Sequence, residues 1–140
     1  MAGFNKFFTF VGDVANKVHN LGFDNLKMVL TDVVPNPSNA TLAQITEIPA
    51  GNGYPVGGFA VAIQSSAQVN GIYKLIAAAN LQITASGGPI AQFHYGILYN
   101  NSSPGKSLIA WWDFGSEVNL LDGNYLTVTF DASNGILQLA

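Results

Sequence analysis

The stretch Leu108–Phe114, LIAWWDF, decides the fold class. It is apolar, aromatic and β-branched, and seven residues long, which predicts a strand and excludes much else. Successive strand residues point to opposite faces of a sheet. The two indoles therefore cannot share one core layer. Leu108, Ala110, Trp112 and Phe114 fall on one face by parity, and Ile109, Trp111 and Asp113 on the other. Trp112 is assigned to the core. Trp111 then needs a partner of its own: the N-terminal helix, a ligand or another subunit.

The rest of the chain repeats this short-strand pattern. Leu26, Met28 and Leu30 alternate, as do Phe59, Val61 and Ile63. Ala91, Phe93, Tyr95, Ile97 and Tyr99 form another such set, and Leu126, Val128 and Phe130 a fourth. Turn signals separate them: prolines at 35 and 37, Asn70-Gly71, SGGP at 86–89, NNSSPGK at 100–106, Asp122-Gly123 and Asn134-Gly135. An Asn-Gly pair between alternating runs predicts a type I′ hairpin, since both central residues need positive φ. VNLLDGNYLTVTF reads as a strand pair around Asp122-Gly123. The last run, Ile136–Leu139, predicts a C-terminal tail paired into a sheet.

Only the N-terminus has a helical period. Phe4, Phe7, Phe8, Val11, Val14, Ala15 and Val18 recur at i, i+3, i+4, i+7 spacing, with Gly22 placed as a C-terminal cap. One amphipathic helix is expected over about residues 4–20. The sum is one helix and roughly eight evenly spaced strands. It predicts a mainly β chain, an antiparallel β-sandwich of jelly-roll-like form over about 25–140 with one N-terminal amphipathic helix. The 140 residues form one domain's length without an internal repeat or linker.

Composition narrows the function. Charged residues are 9% of the chain, against about 25% in an ordinary soluble domain. Little charge keeps copies apart, so two readings stand: a neutral soluble monomer, or a protein that works inside an assembly. There is no arginine, and the net charge is −3. Nucleic-acid binding is not expected without a basic stripe. No apolar run approaches the ~20 residues of a membrane helix. Polar residues break the N-terminal stretch too often for a signal peptide. The sequence therefore offers no route out of the cell that makes it. There is no cysteine, which removes thiolate catalysis and thiolate metal sites.

The remaining chemistry is sparse. His19 and His94 have no histidine or carboxylate at i±2 or i±4, so neither belongs to a local metal motif. Asp113 and Glu117 are a possible glycosidase pair, but a Gly-Ser turn between them leaves their separation open. No G-x-S-x-G elbow occurs. GNGYPVGG, 51–58, does not match a phosphate-cradling glycine pattern and reads as a loop with positive-φ positions. Asn39, Asn100 and Asn101 match Asn-x-Ser/Thr by chance-level motifs. No catalytic residue, metal site or cofactor is expected, and the chain reads as a non-enzyme. For interface residues the candidates are Phe4, Phe7 and Trp111, as large apolar groups, and Asn52 and Tyr54, on the 51–58 loop.

Several segments together carry a resemblance: NKFFTFVGDVANKVHNLGFDNLKMVLT, ITEIPAGNGYPVGG, SSAQVNGIYKL, GGPIAQFHYGILYN, LIAWWDFGSEVNLLDG and LTVTFDASNGILQL. With these the chain resembles small structural proteins of tailed bacteriophages, and among them jelly-roll capsid cement or decoration proteins of the Bordetella phage type. The resemblance implies a β-sandwich on the outer capsid surface that clamps neighbouring major capsid proteins, self-associated as a homodimer or homotrimer. It supplies no catalytic residues. A tail- or fibre-associated virion protein is the neighbouring alternative. A carbohydrate-binding sandwich, with Trp111 and tyrosines stacking on sugar rings, is the third.

Overall fold

The computed structural model describes residues 4–140. The chain is mainly β, with antiparallel sheets and one helix near the N-terminus. Strand β1 (Phe4–Lys6) leads into helix α1 (Phe8–Ala15). There follow β2 (Leu26–Thr31), β3 (Phe59–Val61), β4 (Ile63–Val69), β5 (Ile72–Ala77), β6 (Leu81–Thr84) and β7 (Phe93–Asn100). The last three are β8 (Leu108–Val118), β9 (Tyr125–Val128) and β10 (Leu137–Leu139). A five-stranded sheet runs in the order β1-β8-β7-β2-β3. A three-stranded sheet, β10-β5-β4, and a two-stranded one, β6-β9, complete a sandwich-like arrangement that is not closed.

The main core lies between these layers. Leu26, Met28 and Leu30 of β2, Leu98 of β7 and Trp112 of β8 meet Leu75, Ile83, Val128 and Leu137 from the smaller sheets. The alternation of β2, β3 and β9 predicted these inward residues correctly. Asn70-Gly71 makes the expected hairpin between β4 and β5, with φ of 54° and 80°. The C-terminal strand pairs with β5, as expected of a tail built into a sheet.

The strands around Asp122-Gly123 do not pair with each other: β9 pairs with β6 instead. Parity also fails at two bulges. Leu98 faces Ala110 but Tyr99 faces Leu108, so Ile109 is an extra residue. This turns Leu108 to the face opposite Trp112, where it joins Val29, Ile97 and Tyr99 in a second, smaller core. At the other end Tyr95 faces Asp113 and Phe93 faces Val118, leaving four residues on β8 opposite one on β7. Phe93 thereby turns into the main core, away from Tyr95 and Ile97. A period-2 reading cannot register an inserted residue.

The N-terminal helix is shorter than the period suggested. Phe4–Lys6 is strand, in register with Trp112, Trp111 and Ala110. The helix ends at Ala15 because Lys17 adopts φ 66°. The Val18 N–H then bonds the Asp13 carbonyl and the Lys17 N–H the Val14 carbonyl, a closing pattern that satisfies the last helical carbonyls. Gly22 is not the cap. Phe10 is buried and Val14 packs on the main core, whereas Phe8 and Val11 are 62% and 51% exposed. The strand sets this phase: Phe7 donates its N–H to the Ile109 carbonyl at 3.1 Å, and the helix starts from there.

Candidate functional site

Trp111 and Trp112 each receive a phenylalanine from the N-terminal segment. Phe4 sits edge-on to Trp112, ring centres 5.8 Å apart. Phe7 lies 4.8 Å from Trp111. Strand alternation puts Phe4 and Phe7 on opposite faces of the edge of the sheet. Trp111 is half-buried there, beside the second core with Leu42, Ile45 and Tyr95. Its aromatic partner is Phe7, the residue that precedes the helix.

This places the five candidate interface residues. Phe4 is 40% exposed and Asn52 is exposed. Phe7 is fully buried and Tyr54 is 2% exposed. Neither of these two side chains is open to a partner, which corrects the sequence expectation for both. Phe7 is covered because it seals the second core. Asn52 is on the surface, but its amide donates to the Pro89 carbonyl at 2.8 Å and so fixes the loop.

Tyr54 is held by polar bonds at the core boundary. Its hydroxyl accepts the Leu30 N–H at 3.1 Å and donates to Glu47 Oε1 at 2.9 Å. The same oxygen accepts the Gly57 N–H at 2.8 Å, and Tyr99 donates to the Gly57 carbonyl at 2.6 Å. Burial pushes the Tyr54 hydroxyl far above its ordinary pKa, and Glu47 adds to that. Burial and Glu47 also raise Tyr99. The loop's glycines serve close approach: a Cβ on Gly58, at φ 82°, would run into the Met28 carbonyl. The 51–58 segment is a docked loop, as its glycines suggested, and it grips β2.

A second polar centre joins the helix return to β7. Asn100 is fully buried. Its amide nitrogen donates to His19 Nδ1 at 3.0 Å and Asp24 Oδ2 at 2.6 Å. Its oxygen accepts the N–H groups of Ser102 and Ser103 at 2.9 and 3.2 Å. Asn100 is thus saturated and structural, whatever its Asn-x-Ser motif suggests. His19 Nε2 lies 3.9 Å from Asp13 without a hydrogen-bond partner. Burial lowers the His19 pKa, and the Asp13 and Asp24 carboxylates oppose that only in part. Neutral imidazole is the resting form.

The other histidine has a carboxylate that local spacing missed. His94 Nε2 approaches Asp113 Oδ1 at 2.9 Å, off the line of a directed hydrogen bond. The ring stacks on Tyr95 at 4.3 Å. Asp113 Oδ1 also accepts the Gly115 N–H at 2.7 Å, which shapes the β8 bulge. The signal for the pair was the antiparallel register across 100–107, not any i±4 spacing. Glu117 lies in the same bulge, on the exposed rim.

Among the described residues no group of three or more histidines, aspartates and glutamates is placed to hold a metal. No described helix is long and apolar enough to cross a membrane. Several large apolar side chains are open to solvent: Phe8 at 62%, Phe23 at 87%, Val34 at 68% and Val56 at 76% exposed. Next to β8 and β9 lies a groove of about 730 Å³, lined by Trp112, Phe114, Val118, Leu126 and Val128, with Asp113 and threonines at its rim. Compared with known protein families, curated proteins and solved structures, the chain matches none.

Proposed function

We propose that this chain is a non-enzymatic structural protein of a tailed-phage virion, a capsid cement or decoration protein. It binds the outer capsid surface and stabilises contacts between major capsid proteins, as a homodimer or homotrimer. The carrying observation is the set of large apolar side chains left in solvent. Phe4, Phe8 and Val11 are 40%, 62% and 51% exposed around one strand-to-helix junction, in a chain with 9% charged residues. Large apolar side chains exposed within one short segment are candidates for protein contact. The mechanism is burial: covering apolar area on assembly stabilises the shell by about 25 cal/mol per Å² before association costs. Repetition over many sites adds avidity. The virion assignment rests on the sequence resemblance, and the sandwich-like fold agrees with it.

The sugar-binding reading has less support, since one face of Trp111 is engaged by Phe7. Cryo-electron microscopy of purified particles, with quantitation of this chain against the major capsid protein, tests the proposal. Density at every capsomer junction with near-equimolar copies is expected. Density at the tail alone would move the protein to the tail machinery, and its absence from particles would overturn the virion reading. A Phe8→Ser, Val11→Ser double variant should fold normally and lose particle binding.

A further inference from the structure

Among the described residues β9 is paired on one side only, to β6. Its other side borders the 730 Å³ groove. The sequence suggested that the strands flanking Asp122-Gly123 would pair with each other. They lie instead on either side of this groove, with the β8 bulge as the far wall. Lining alternates as a strand would demand. Leu126 and Val128 turn toward the core and Thr127 and Thr129 are exposed. Phe114 and Val118 are half-buried across from them.

We propose that this groove accepts an extended segment of a partner protein, which adds to β9 as a further strand and carries a lysine or arginine opposite Asp113. Strand addition draws its affinity from main-chain hydrogen bonds and its specificity from pockets for alternate side chains. The apolar floor takes those alternate side chains. Charge selects the cation. Among the described residues Asp113 is the only charged one lining the groove. Its Oδ1 accepts the Gly115 N–H and lies 2.9 Å from His94 Nε2, Oδ2 has no hydrogen-bond partner among the described residues, and the side chain is 51% exposed. A second copy of β9 is a poorer occupant. The strand has no cation of its own, and Asp122 and Asp131 flank it, so antiparallel self-pairing brings carboxylates together. The inference concerns the groove's chemistry and stands apart from the virion reading.

The test is a ¹⁵N-resolved titration of the full chain with two blocked hexapeptides. Both alternate threonine and valine; one has lysine at its third position, the other glutamate. The lysine peptide should shift the amides of 113–118 and 125–129 and bind about fivefold more tightly than the glutamate peptide, the size of one exposed ion pair. Asp113→Asn should keep the shifts and remove the preference. Equal affinities for the wild-type chain, or no shifts along β9 with either peptide, would overturn the proposal. So would β9 amides that change with protein concentration alone, which would assign the strand to a second copy.

Discussion

Replacing Asn100 by alanine removes one side chain and four hydrogen bonds. The loss is uneven. The bond to Asp24, at 2.6 Å, involves a charged acceptor, worth about 1.5–3 kcal/mol. The bond to His19 and the two from the Ser102 and Ser103 N–H groups are neutral, each worth about 1 kcal/mol net. The Ser103 N–H is buried and alanine offers it no acceptor, so its desolvation is not recovered. Water can enter on the side of Asp24 and Ser102, which are less buried, and offset part of the total. The expected destabilisation is about 4 kcal/mol, or roughly 15 °C in Tm for a chain of this length. Urea unfolding followed by tryptophan fluorescence reads it directly. The midpoint should fall with the m-value unchanged. A loss below about 1 kcal/mol would mean that the four bonds are replaced by solvent, and would refute the reading of Asn100 as a buried hub.

His19 should make stability fall on mild acidification. Burial holds its folded pKa below the ordinary 6.5, so the unfolded chain takes up a proton that the native state refuses. Its contribution is therefore complete above about pH 6.5 and is lost as pH drops toward the folded value. Denaturation midpoints between about pH 7 and 5 should decline more steeply for the wild type than for His19→Gln, and equal slopes would contradict this. The raised Tyr54 and Tyr99 should not ionise with the exposed tyrosines in an alkaline absorbance titration; they should ionise only as the protein unfolds. Tyr54→Phe strands the buried Leu30 N–H and should cost about 2 kcal/mol by chemical denaturation. Gly58→Ala should cost about 3 kcal/mol or more, because its Cβ collides with the Met28 carbonyl. Gly12→Ala, in the helix with open space around it, should instead stabilise by about 1 kcal/mol.

The sequence by itself determined the class of the fold and most of its inward faces. Alternation at Leu26–Leu30, Phe59–Ile63 and Leu126–Phe130 is a local consequence of burying one face of a strand. So is the Asn70-Gly71 hairpin, because positive φ at both positions is a property of the dipeptide. The missing thiols and arginines were equally legible, as they are matters of composition. Tertiary structure decided what depends on register. The extra residue at Ile109 turned Leu108 to the other face, and the four-residue bulge at 114–117 brought Asp113 to His94. Neither has a local signature, since a bulge is defined by the strand opposite. Phe4 to Lys6 fit a helical stripe as well as a strand, and the hydrogen bonds offered by the edge of β8 settled the choice. The same pairing set the helix phase and left Phe8 and Val11 in solvent. Which strand β9 joins was likewise settled by competition between edges: β6 took it, and the groove beside β8 is what that choice left open.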